Sequence, residues 1–241
     1  MKRLWVLALL GVLGSAALHR QSDAGEFRIV GSQIRPVSDN PVRSLLYRRP
    51  VLLTFDDSPS NPEADLTILA VLRKHHARAL WMVNCRNFDG DPSMLREIAA
   101  EGHEIGNHSY SHPLLTTLSA DRLAHEIIGC SQAIAAALGI RPKYFRPPWG
   151  LSTPTADAVV RADGMQSVLW TSNSFDSLRQ SFKTHPQEYV EMLRTEPILD
   201  PGASADAGDV VLLHDYPNTA LALDGILTRL EERGFQFVVP D

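Results

Sequence analysis

Short apolar runs alternate with amphipathic helical segments along this chain from residue 50 to its end. Seven runs predict β-strands, because each is short, mainly apolar and bounded by residues that favour turns. The predicted strands are 51–55, 79–83, 103–106, 144–146, 166–170, 209–213 and 235–239. Strands that alternate with helices are typical of a largely parallel sheet, so the pattern predicts an α/β fold in a single domain.

The helical segments between these strands carry their own start and stop signals. The first helix is predicted to begin at Pro62, where the Asn61 side chain can cap it. Its apolar spacing predicts an inner face made by Leu66, Leu69 and Leu72. Further helices are predicted over 91–102, 119–139, 153–163 and 221–233.

The N-terminus has the layout of a secretory signal peptide. Lys2 and Arg3 precede an apolar run from Leu4 to Leu13, and small residues follow it up to Ala17. An uncleaved membrane anchor is the alternative, but the apolar run is shorter than the roughly 20 residues that a membrane-spanning helix needs. We therefore expect residues 1–17 to be removed and the protein to be exported, to the periplasm or the medium, without a stable membrane span.

Residues 18–44 show no sustained apolar period and predict an irregular linker that leads into a domain over 45–241. The composition is that of an ordinary globular protein, 44% hydrophobic and 21% charged. The formal net charge of −5 becomes −7 when Lys2 and Arg3 are removed with the signal peptide. Because nucleic acids usually select a basic face, this balance favours a neutral or amine-bearing ligand instead. The oligomeric state cannot be read from the sequence.

The chain contains two cysteines, Cys85 and Cys130. In an oxidising compartment they can form one disulfide, provided that the fold brings them together. Two buried free thiols are the alternative, and the sequence leaves both possibilities open.

Polar side chains with known chemical uses follow the carboxyl ends of several predicted strands. They are Asp56, Asp57, His108, His112, Arg146, Asp176 and His214. The carboxyl ends of parallel strands share one face of an α/β fold, which is where active sites are built. We therefore expect these residues to converge, although they are far apart in the sequence.

His108 and His112 have the i, i+4 spacing that on a helical turn lets two imidazoles bind one metal ion. Two solvated or structural histidines are the alternative interpretation. Asp57 can supply a third ligand, which leaves coordination positions open for water and substrate, as a catalytic metal requires. Zinc is the first choice for such a divalent site, although cobalt or another transition ion is also compatible with it.

The adjacent carboxylates of Asp56 and Asp57 could form a simple turn with the serine and proline that follow. Next to a metal, however, Asp57 can bind the ion while Asp56 accepts a proton from water as a general base. Arg146 can orient that base through a bidentate bond, unless it is a solvated arginine. His214 is a candidate general acid, with a structural strand-end histidine as the alternative. The remaining histidines, His19, His75, His76, His103, His125 and His185, are interpreted as solvated or structural.

Together these residues resemble the polysaccharide deacetylase family, carbohydrate esterase family 4, over residues 50–239. Residues 54–59 are similar to its TFDDGP motif, 108–112 to HSxxH, 146–150 to RPPYG and 212–214 to LxH. The resemblance implies a distorted (β/α) barrel of about seven parallel strands. It also implies a divalent metal on Asp57, His108 and His112, Asp56 as base, His214 as acid, and a backbone N–H of Trp149 that helps to hold the oxyanion.

The fourth motif is where this sequence departs from the family. The family pattern DxxDW corresponds here to residues 173–177, so Asn173 replaces the first aspartate and only the second, Asp176, is present. In the family, that aspartate tunes the acid histidine. Ser177 replaces a tryptophan that walls the acetyl pocket, and Ser58 replaces a glycine. These changes favour an altered substrate over lost chemistry.

The expected function is metal-dependent removal of acetyl groups from the N-acetyl sugars of a polysaccharide, such as a chitin-like polymer or the glycan of peptidoglycan. One alternative is a related amide or ester hydrolase that acts on an O-acetylated or non-carbohydrate substrate. Another is a sugar-binding relative without catalytic activity. The retained Asp56 and His214 favour the enzyme, because binding alone would not need them.

Overall fold

A computed structural model describes residues 27–37 and 49–240, and the predicted signal peptide at 1–17 lies outside the described residues. The described chain first forms an antiparallel hairpin of β1 (Phe27–Val30) and β2 (Gln33–Pro36). The strands of the central sheet follow. They are β3 (Pro50–Ser58), β4 (Ala79–Val83), β5 (Glu104–Asn107), β6 (Tyr144–Phe145), β7 (Gln166–Ser167), β8 (Ser172–Asn173), β9 (Val210–His214) and β10 (Gln236–Phe237).

The central sheet is parallel at every described pairing, and its order is β7-β6-β5-β4-β3-β9-β8, with β10 pairing with the start of β3. The sheet curls into an incomplete barrel. Among the described residues, β7 and β8 do not pair with each other, so a seam remains between these two short strands. This architecture confirms the predicted distorted (β/α) barrel.

The helices cover the outside of the sheet. They are α1 (Pro62–Lys74), α2 (Ser93–Ala100), α3 (Ala120–Ala124), α4 (Cys130–Leu138), α5 (Pro154–Ala162), α6 (Ser181–Thr184), α7 (Pro186–Thr195), α8 (Pro201–Ser204) and α9 (Pro217–Glu232). A π-helical turn, His125–Gly129, joins α3 to α4. None of the helices in the described residues is both long enough and apolar enough to cross a membrane.

The start of α1 is the one predicted from the sequence, since the Asn61 side chain accepts a hydrogen bond from the Ala64 N–H at 3.1 Å. The predicted inner face is wrong at Leu66, which is 47% exposed. Successive helical residues are turned by about 100°, so Leu66 lies almost opposite Ile68. Ile68 takes its place in the core beside the predicted Leu69 and Leu72.

Alternating side chains of β3 separate the outer core from the inside of the barrel. Leu53 and Phe55 belong to the large cluster that the helices cover, whereas Leu52 packs inside with Met82 and Val210. Because strand residues alternate in direction, Thr54 and Asp56 continue the inner side beyond Leu52. Asp56 therefore enters the interior at the carboxyl end of the sheet.

The prediction of an irregular segment over 18–44 is wrong at residues 27–36. Phe27, Ile29 and Ile34 are buried in the inner cluster of the barrel. The hairpin is attached to the barrel by a hydrogen bond of 2.9 Å from the Ile34 N–H to the Gly208 carbonyl. Its apolar residues alternate with polar ones over only four positions per strand, which is too short a pattern to stand out from a linker.

Two further differences concern the second half of the chain. The strand predicted over 166–170 ends at Ser167, and the next strand, β8, begins only at Ser172. The three helices α6, α7 and α8 lie between Asp176 and β9, where none was predicted. The predicted strands at 209–213 and 235–239 are present as β9 and β10, shifted or shortened by a few residues.

A disulfide joins Cys85 to Cys130, with 5.4 Å between their Cα atoms. It therefore links the segment after β4 to the first residue of α4, and it closes a loop with a sequence separation of 45 residues. This answers the question that the sequence left open, since the two cysteines are paired and are not free thiols.

We expect loss of this disulfide to lower the free energy of unfolding by about 4 kcal/mol, because it restricts the unfolded chain over a long loop. Urea denaturation of the wild-type protein and of the double variant Cys85→Ala, Cys130→Ala measures the difference. The double variant also controls for other effects of the reductant, because the midpoint of its urea denaturation should not change when dithiothreitol is added. A wild-type midpoint that stays unchanged after verified reduction would contradict the prediction.

Candidate active site

A buried arginine organises the inner side of the site. The Arg146 side chain is fully buried, and its Nη1 donates to Asp56 Oδ1 at 2.5 Å and to Thr54 Oγ1 at 2.8 Å. Its Nε donates to the Val168 carbonyl at 3.0 Å. The predicted bidentate bond to Asp56 is thus a single contact, since Nε donates to the backbone, Nη1 is shared with Thr54, and Nη2 has no hydrogen-bond partner among the described residues.

Asp57, His108 and His112 lie on the other side of Asp56. Asp57 Oδ1 is 3.8 Å from His108 Nε2 and 3.5 Å from His112 Nε2. His108 Nε2 is also 3.6 Å from Asp56 Oδ2, so the two neighbouring carboxylates share this histidine. The structure brings together the four side chains predicted to bind the metal and to act as base.

The two histidines lie in a loop, so the helical turn assumed for the i, i+4 spacing is wrong. Asn107 Oδ1 accepts from the Ser109 N–H at 2.8 Å, and Ser109 Oγ accepts from the His112 N–H at 3.0 Å. These local bonds compete with a helix and favour a compact turn. Ser109 and His112 both have positive φ, 70° and 58°, and the two imidazole centres are 4.9 Å apart.

Glu126 holds this loop through hydrogen bonds, and the sequence analysis did not predict this role. Its buried carboxylate accepts from the N–H and the hydroxyl of Ser111, both at 2.8 Å. The π-helical turn that carries Glu126 also presents the Ile127 carbonyl to the Asn107 side-chain amide at 2.8 Å. A charged residue beside the apolar Ile127 of a predicted core helix was the one signal that the sequence offered.

His214 and Asp176 form the opposite wall. His214 Nδ1 and Asp176 Oδ1 are 2.7 Å apart, and Asp176 Oδ2 accepts from the His214 N–H and from the Thr219 hydroxyl at 2.7 Å each. Asp56 and His214 are paired in register on adjacent strands. Residues that the sequence separates by more than 150 positions are therefore neighbours, as the strand-end argument predicted.

The electrostatics of this wall favour a protonated imidazole. Burial alone would lower the pKa of His214, but Asp176, with help from Asp56 and Asp57, outweighs burial and raises the pKa to about 9. Burial opposes ionisation of Asp176, yet His214 and Thr219 overcome it and lower the pKa of that carboxyl. The pair therefore exists as an imidazolium and a carboxylate around neutral pH.

Tyr216 connects the two walls and was also missed. Its hydroxyl donates to Asp57 Oδ2 at 3.1 Å, and its ring is stacked on His214, with 4.9 Å between the ring centres. The Lys183 ammonium lies 3.6 Å from the centre of the same ring. Burial, and then the nearby Asp57 carboxylate, raise the pKa of Tyr216 far above its usual value, so the hydroxyl remains a donor.

Backbone strain is concentrated around these side chains. Six non-glycine residues in the described part of the chain have positive φ, and five of them belong to the site segments. They are Asp57, Ser109, His112, Trp149 and Phe175. Such conformations cost of order 1–3 kcal/mol each and persist where the surrounding structure imposes them. The backbone conformations of Asp57 and His112, two of the three proposed ligands, are therefore imposed by the fold.

Three positions with a role implied by the family pattern, Trp149, Asn173 and Ser177, are exposed or half-buried. Trp149 is 66% exposed and meets His112 edge to face, with ring centres 5.0 Å apart. Ser177 is exposed directly after the buried Asp176, and Asn173 lies on β8, where its side chain accepts from the Phe175 N–H at 2.7 Å. Ser177 therefore adds no large wall beside the acid histidine.

Ser58, at the position where the family has glycine, is buried and lies in a second network behind the site. Its hydroxyl is 3.4 Å from Asp65 Oδ1. Burial and the neighbouring Asp215 raise the pKa of Asp65 to about 9. Asp215 in turn accepts from the N–H and the hydroxyl of Ser60, at 2.5 and 2.7 Å. Positive φ falls on Asp57 and not on Ser58, so the local backbone does not require a glycine there.

The donor set of Asp57, His108 and His112 fits a divalent metal. The three ligand atoms lie within 4.8 Å of one another, and ligands of a tetrahedral zinc ion are separated by about 3.4 Å. His108 Nδ1 is 2.8 Å from the Arg146 carbonyl, which assigns the proton to Nδ1 and leaves Nε2 available as a ligand. Burial lowers the pKa of His112, which favours the neutral imidazole that binds metals.

The charge of the carboxylate also suits this role. Burial opposes ionisation of Asp57, but His108, His112 and His214, together with the Tyr216 hydroxyl, outweigh burial and lower its pKa. The group is thus an anion at neutral pH. An anionic oxygen beside two imidazole nitrogens is a set that zinc accepts.

Comparison with known sequences gives a consistent result. The model of the polysaccharide deacetylase family matches residues 46–168, which include the first three motifs and end before Asp176 and His214. A peptidoglycan-N-acetylglucosamine deacetylase, PgdA of Listeria monocytogenes, is 30% identical over 79% of this chain and 38% of its own length. The chain thus spans little more than a third of that relative.

Comparison with solved structures gives the same architecture. A family 4 carbohydrate esterase from Streptomyces lividans, in complex with acetate, matches with a TM-score of 0.69 and 30% identity, over 81% of this chain and all of that one. BA3943 of Bacillus anthracis, described as a pseudoenzyme of the same family, has a TM-score of 0.67 and 26% identity, over 78% of this chain and 63% of its own.

The raised pKa of His214 makes stability depend on pH. The pKa of an unfolded histidine is near 6.5 and that of folded His214 is about 9, so the stabilisation is complete below pH 6.5 and lost as pH rises through 9. We expect the free energy of unfolding, measured in urea with a chelator present, to fall by at most about 3 kcal/mol over this interval.

The variant Asp176→Asn should flatten that fall, because it removes the carboxylate that raises the pKa. His185→Gln is a suitable control, since His185 is exposed and the change should leave the profile as in the wild type. If the free energy of unfolding of the wild-type protein does not decline between pH 6.5 and 9, the predicted effect of the pairing of His214 with Asp176 is wrong.

Proposed function

The chain belongs to the polysaccharide deacetylase family, and we propose that it is a metal-dependent hydrolase that removes acetyl groups from N-acetyl sugars of a polysaccharide, with peptidoglycan glycan or a chitin-like polymer as substrate. One observation carries the proposal, namely that Asp56 lies between the ligand set of Asp57, His108 and His112 and the acid candidate His214. PgdA, which is similar to 79% of this chain, is a peptidoglycan-N-acetylglucosamine deacetylase.

The proposed mechanism divides the reaction between the two walls of the site. A zinc ion on Asp57, His108 and His112 would supply Lewis-acid activation of water and of the acetyl carbonyl. Cobalt or another divalent transition ion could replace it. Asp56 accepts the proton of the attacking water, and its contact with Arg146 aims the carboxylate into the interior.

The other wall completes the reaction. The Trp149 N–H would stabilise the oxyanion, as the resemblance to the family implies. His214 then donates a proton to the departing sugar amine from Nε2, because Nδ1 is held by Asp176. The raised pKa of His214 keeps that proton available at neutral pH.

Two other functions use the same fold. An ester hydrolase acting on an O-acetylated glycan fits the similarity to the carbohydrate esterase from Streptomyces lividans and the exposed Ser177 in place of the family tryptophan. A non-catalytic sugar-binding role fits the existence of the pseudoenzyme BA3943 and the altered fourth motif. Against the second role, Asp56 and His214 are both retained with their hydrogen-bond partners Arg146 and Asp176.

The site of action is proposed to lie outside the cytoplasm. The substrate named for PgdA is part of the cell wall, and residues 1–17 have the sequence of a signal peptide. The disulfide between Cys85 and Cys130 fits an oxidising compartment.

Acetate release decides between the candidate functions. We expect release from peptidoglycan or chitooligosaccharide, loss of activity with a strong chelator, and recovery with zinc or cobalt. Release from acetylated xylan alone would favour the ester hydrolase. No release from any of the three substrates by a protein with verified zinc content would favour the binding role, and full activity without metal would overturn the proposed chemistry.

The roles of the adjacent carboxylates are separable by substitution with asparagine. Asp57→Asn should weaken metal binding, because it removes an anionic ligand, and its activity should partly recover at high zinc concentration. Asp56→Asn should keep near-normal metal content and lose roughly 10²–10⁴-fold in kcat, which added zinc should not restore.

Metal stoichiometry and kcat are measured on both variants after circular dichroism has shown that they are folded. This check matters for Asp56→Asn, since the change also removes the partner of buried Arg146. If Asp56→Asn loses its metal and Asp57→Asn keeps it, the two roles are reversed.

A further inference from the structure

The two oxygens of the Asp57 carboxylate face different partners. Oδ1 lies 3.8 Å from His108 Nε2 and 3.5 Å from His112 Nε2, on the side of the candidate metal site. Oδ2 accepts a hydrogen bond of 3.1 Å from the Tyr216 hydroxyl. A carboxylate can bind a metal through one oxygen or through both, so the partner of Oδ2 decides how many oxygens are free.

The tyrosine ring is fixed from both faces. One face is stacked on the His214 imidazole with 7° between the ring planes, and the Lys183 ammonium lies 3.6 Å from the ring centre. His214 occupies the first face, so the ammonium covers the opposite one. Tyr216 also directly precedes α9, whose first residue is Pro217, and this limits the backbone. The hydroxyl is thus held on Asp57 by packing that does not depend on Asp57.

We propose that Tyr216 is a positioning residue that commits Asp57 to bind the metal through Oδ1 alone, by occupying Oδ2. This inference rests on the metal site of the proposed function and adds to it a residue outside the matched motifs. One-oxygen coordination leaves more of the metal shell open for water and substrate. A hydrogen bond to the second oxygen also fixes the ligand orientation, and loss of such outer partners typically costs 10–100-fold in metal affinity.

The backbone of Asp57 explains why an external partner is needed. Asp57 has a φ of 69°, in the left-handed region, and its carbonyl accepts from the Asn87 side-chain amide at 2.6 Å. These features fix the main chain but do not themselves hold the carboxylate. The Tyr216 hydroxyl supplies a hydrogen bond to that carboxylate from outside the segment.

The variant Tyr216→Phe tests the inference, because it keeps the ring, the stack on His214 and the ammonium contact while removing only the hydroxyl. We expect its zinc affinity, measured by competition with a chelating dye, to be 10–100-fold weaker than that of the wild type. With cobalt as the probe, we expect the visible absorption to lose intensity, because coordination by both oxygens raises the coordination number above four.

Tyr189→Phe is the matched control. The Tyr189 hydroxyl donates to the Ser174 carbonyl at 2.9 Å and is buried away from the metal ligands. Its loss should lower the urea midpoint without changing zinc affinity or the cobalt spectrum. A purely structural role for Tyr216 predicts the same behaviour for Tyr216→Phe, and that result would overturn the inference.

The failure of this inference is distinguishable from failure of the proposed function. If the wild-type chain binds zinc and Tyr216→Phe binds it equally well with an unchanged cobalt spectrum, only the role of Tyr216 is wrong. If the wild-type chain itself binds no zinc or cobalt, the proposed metal site is wrong and the role of Tyr216 falls with it. Weaker zinc binding by Tyr216→Phe at an unchanged midpoint supports the inference.

Discussion

The buried guanidinium of Arg146 is the constraint on which the rest of the site depends. A fully buried cation must be paired and hydrogen-bonded, because an uncompensated charge in the interior costs several kcal/mol. Its donors reach Asp56 and Thr54 on β3 and the carbonyl of Val168 beyond β7, so one side chain spans the curled sheet. Its own carbonyl meets His108 Nδ1. Arg146 therefore holds the proposed base through its guanidinium and one proposed ligand through its backbone carbonyl.

On either side of that centre the polar side chains form two groups with opposite electrostatic character. The ligand group combines an anionic Asp57 with the His112 imidazole, whose lowered pKa favours the neutral form. The acid group combines a carboxylate with an imidazole whose pKa is raised. The pKa of His112 is thus lowered by burial, whereas the pKa of His214 in the same site is raised by Asp176. Such separation is how one fold supplies both an activated nucleophile and a proton donor.

Sequence reasoning predicted well which polar residues lie at the strand ends, and it predicted the local geometry of the site less well. Strand ends such as Asp56 and His214 could be placed because parallel strands share an edge, whatever their separation in sequence. The turn at His108 could not be predicted in this way, because it is set by hydrogen bonds to the side chains of Asn107 and Ser109 that compete with a helix. Tyr216 was missed because its contact with Asp57 crosses 159 positions, and no local pattern reports a contact of that kind.

The disulfide has a consequence that concerns persistence and not folding. The covalent loop between Cys85 and Cys130 contains both histidines of the proposed metal site, and its exposed stretches include Leu114. Exposed loop residues are the preferred places for proteolytic nicking. A single cut anywhere inside this loop leaves the two fragments joined through sulfur, so the histidines remain part of the same molecule as Asp57. Such a link would keep the three proposed metal ligands in one covalent molecule after a single cleavage of the loop.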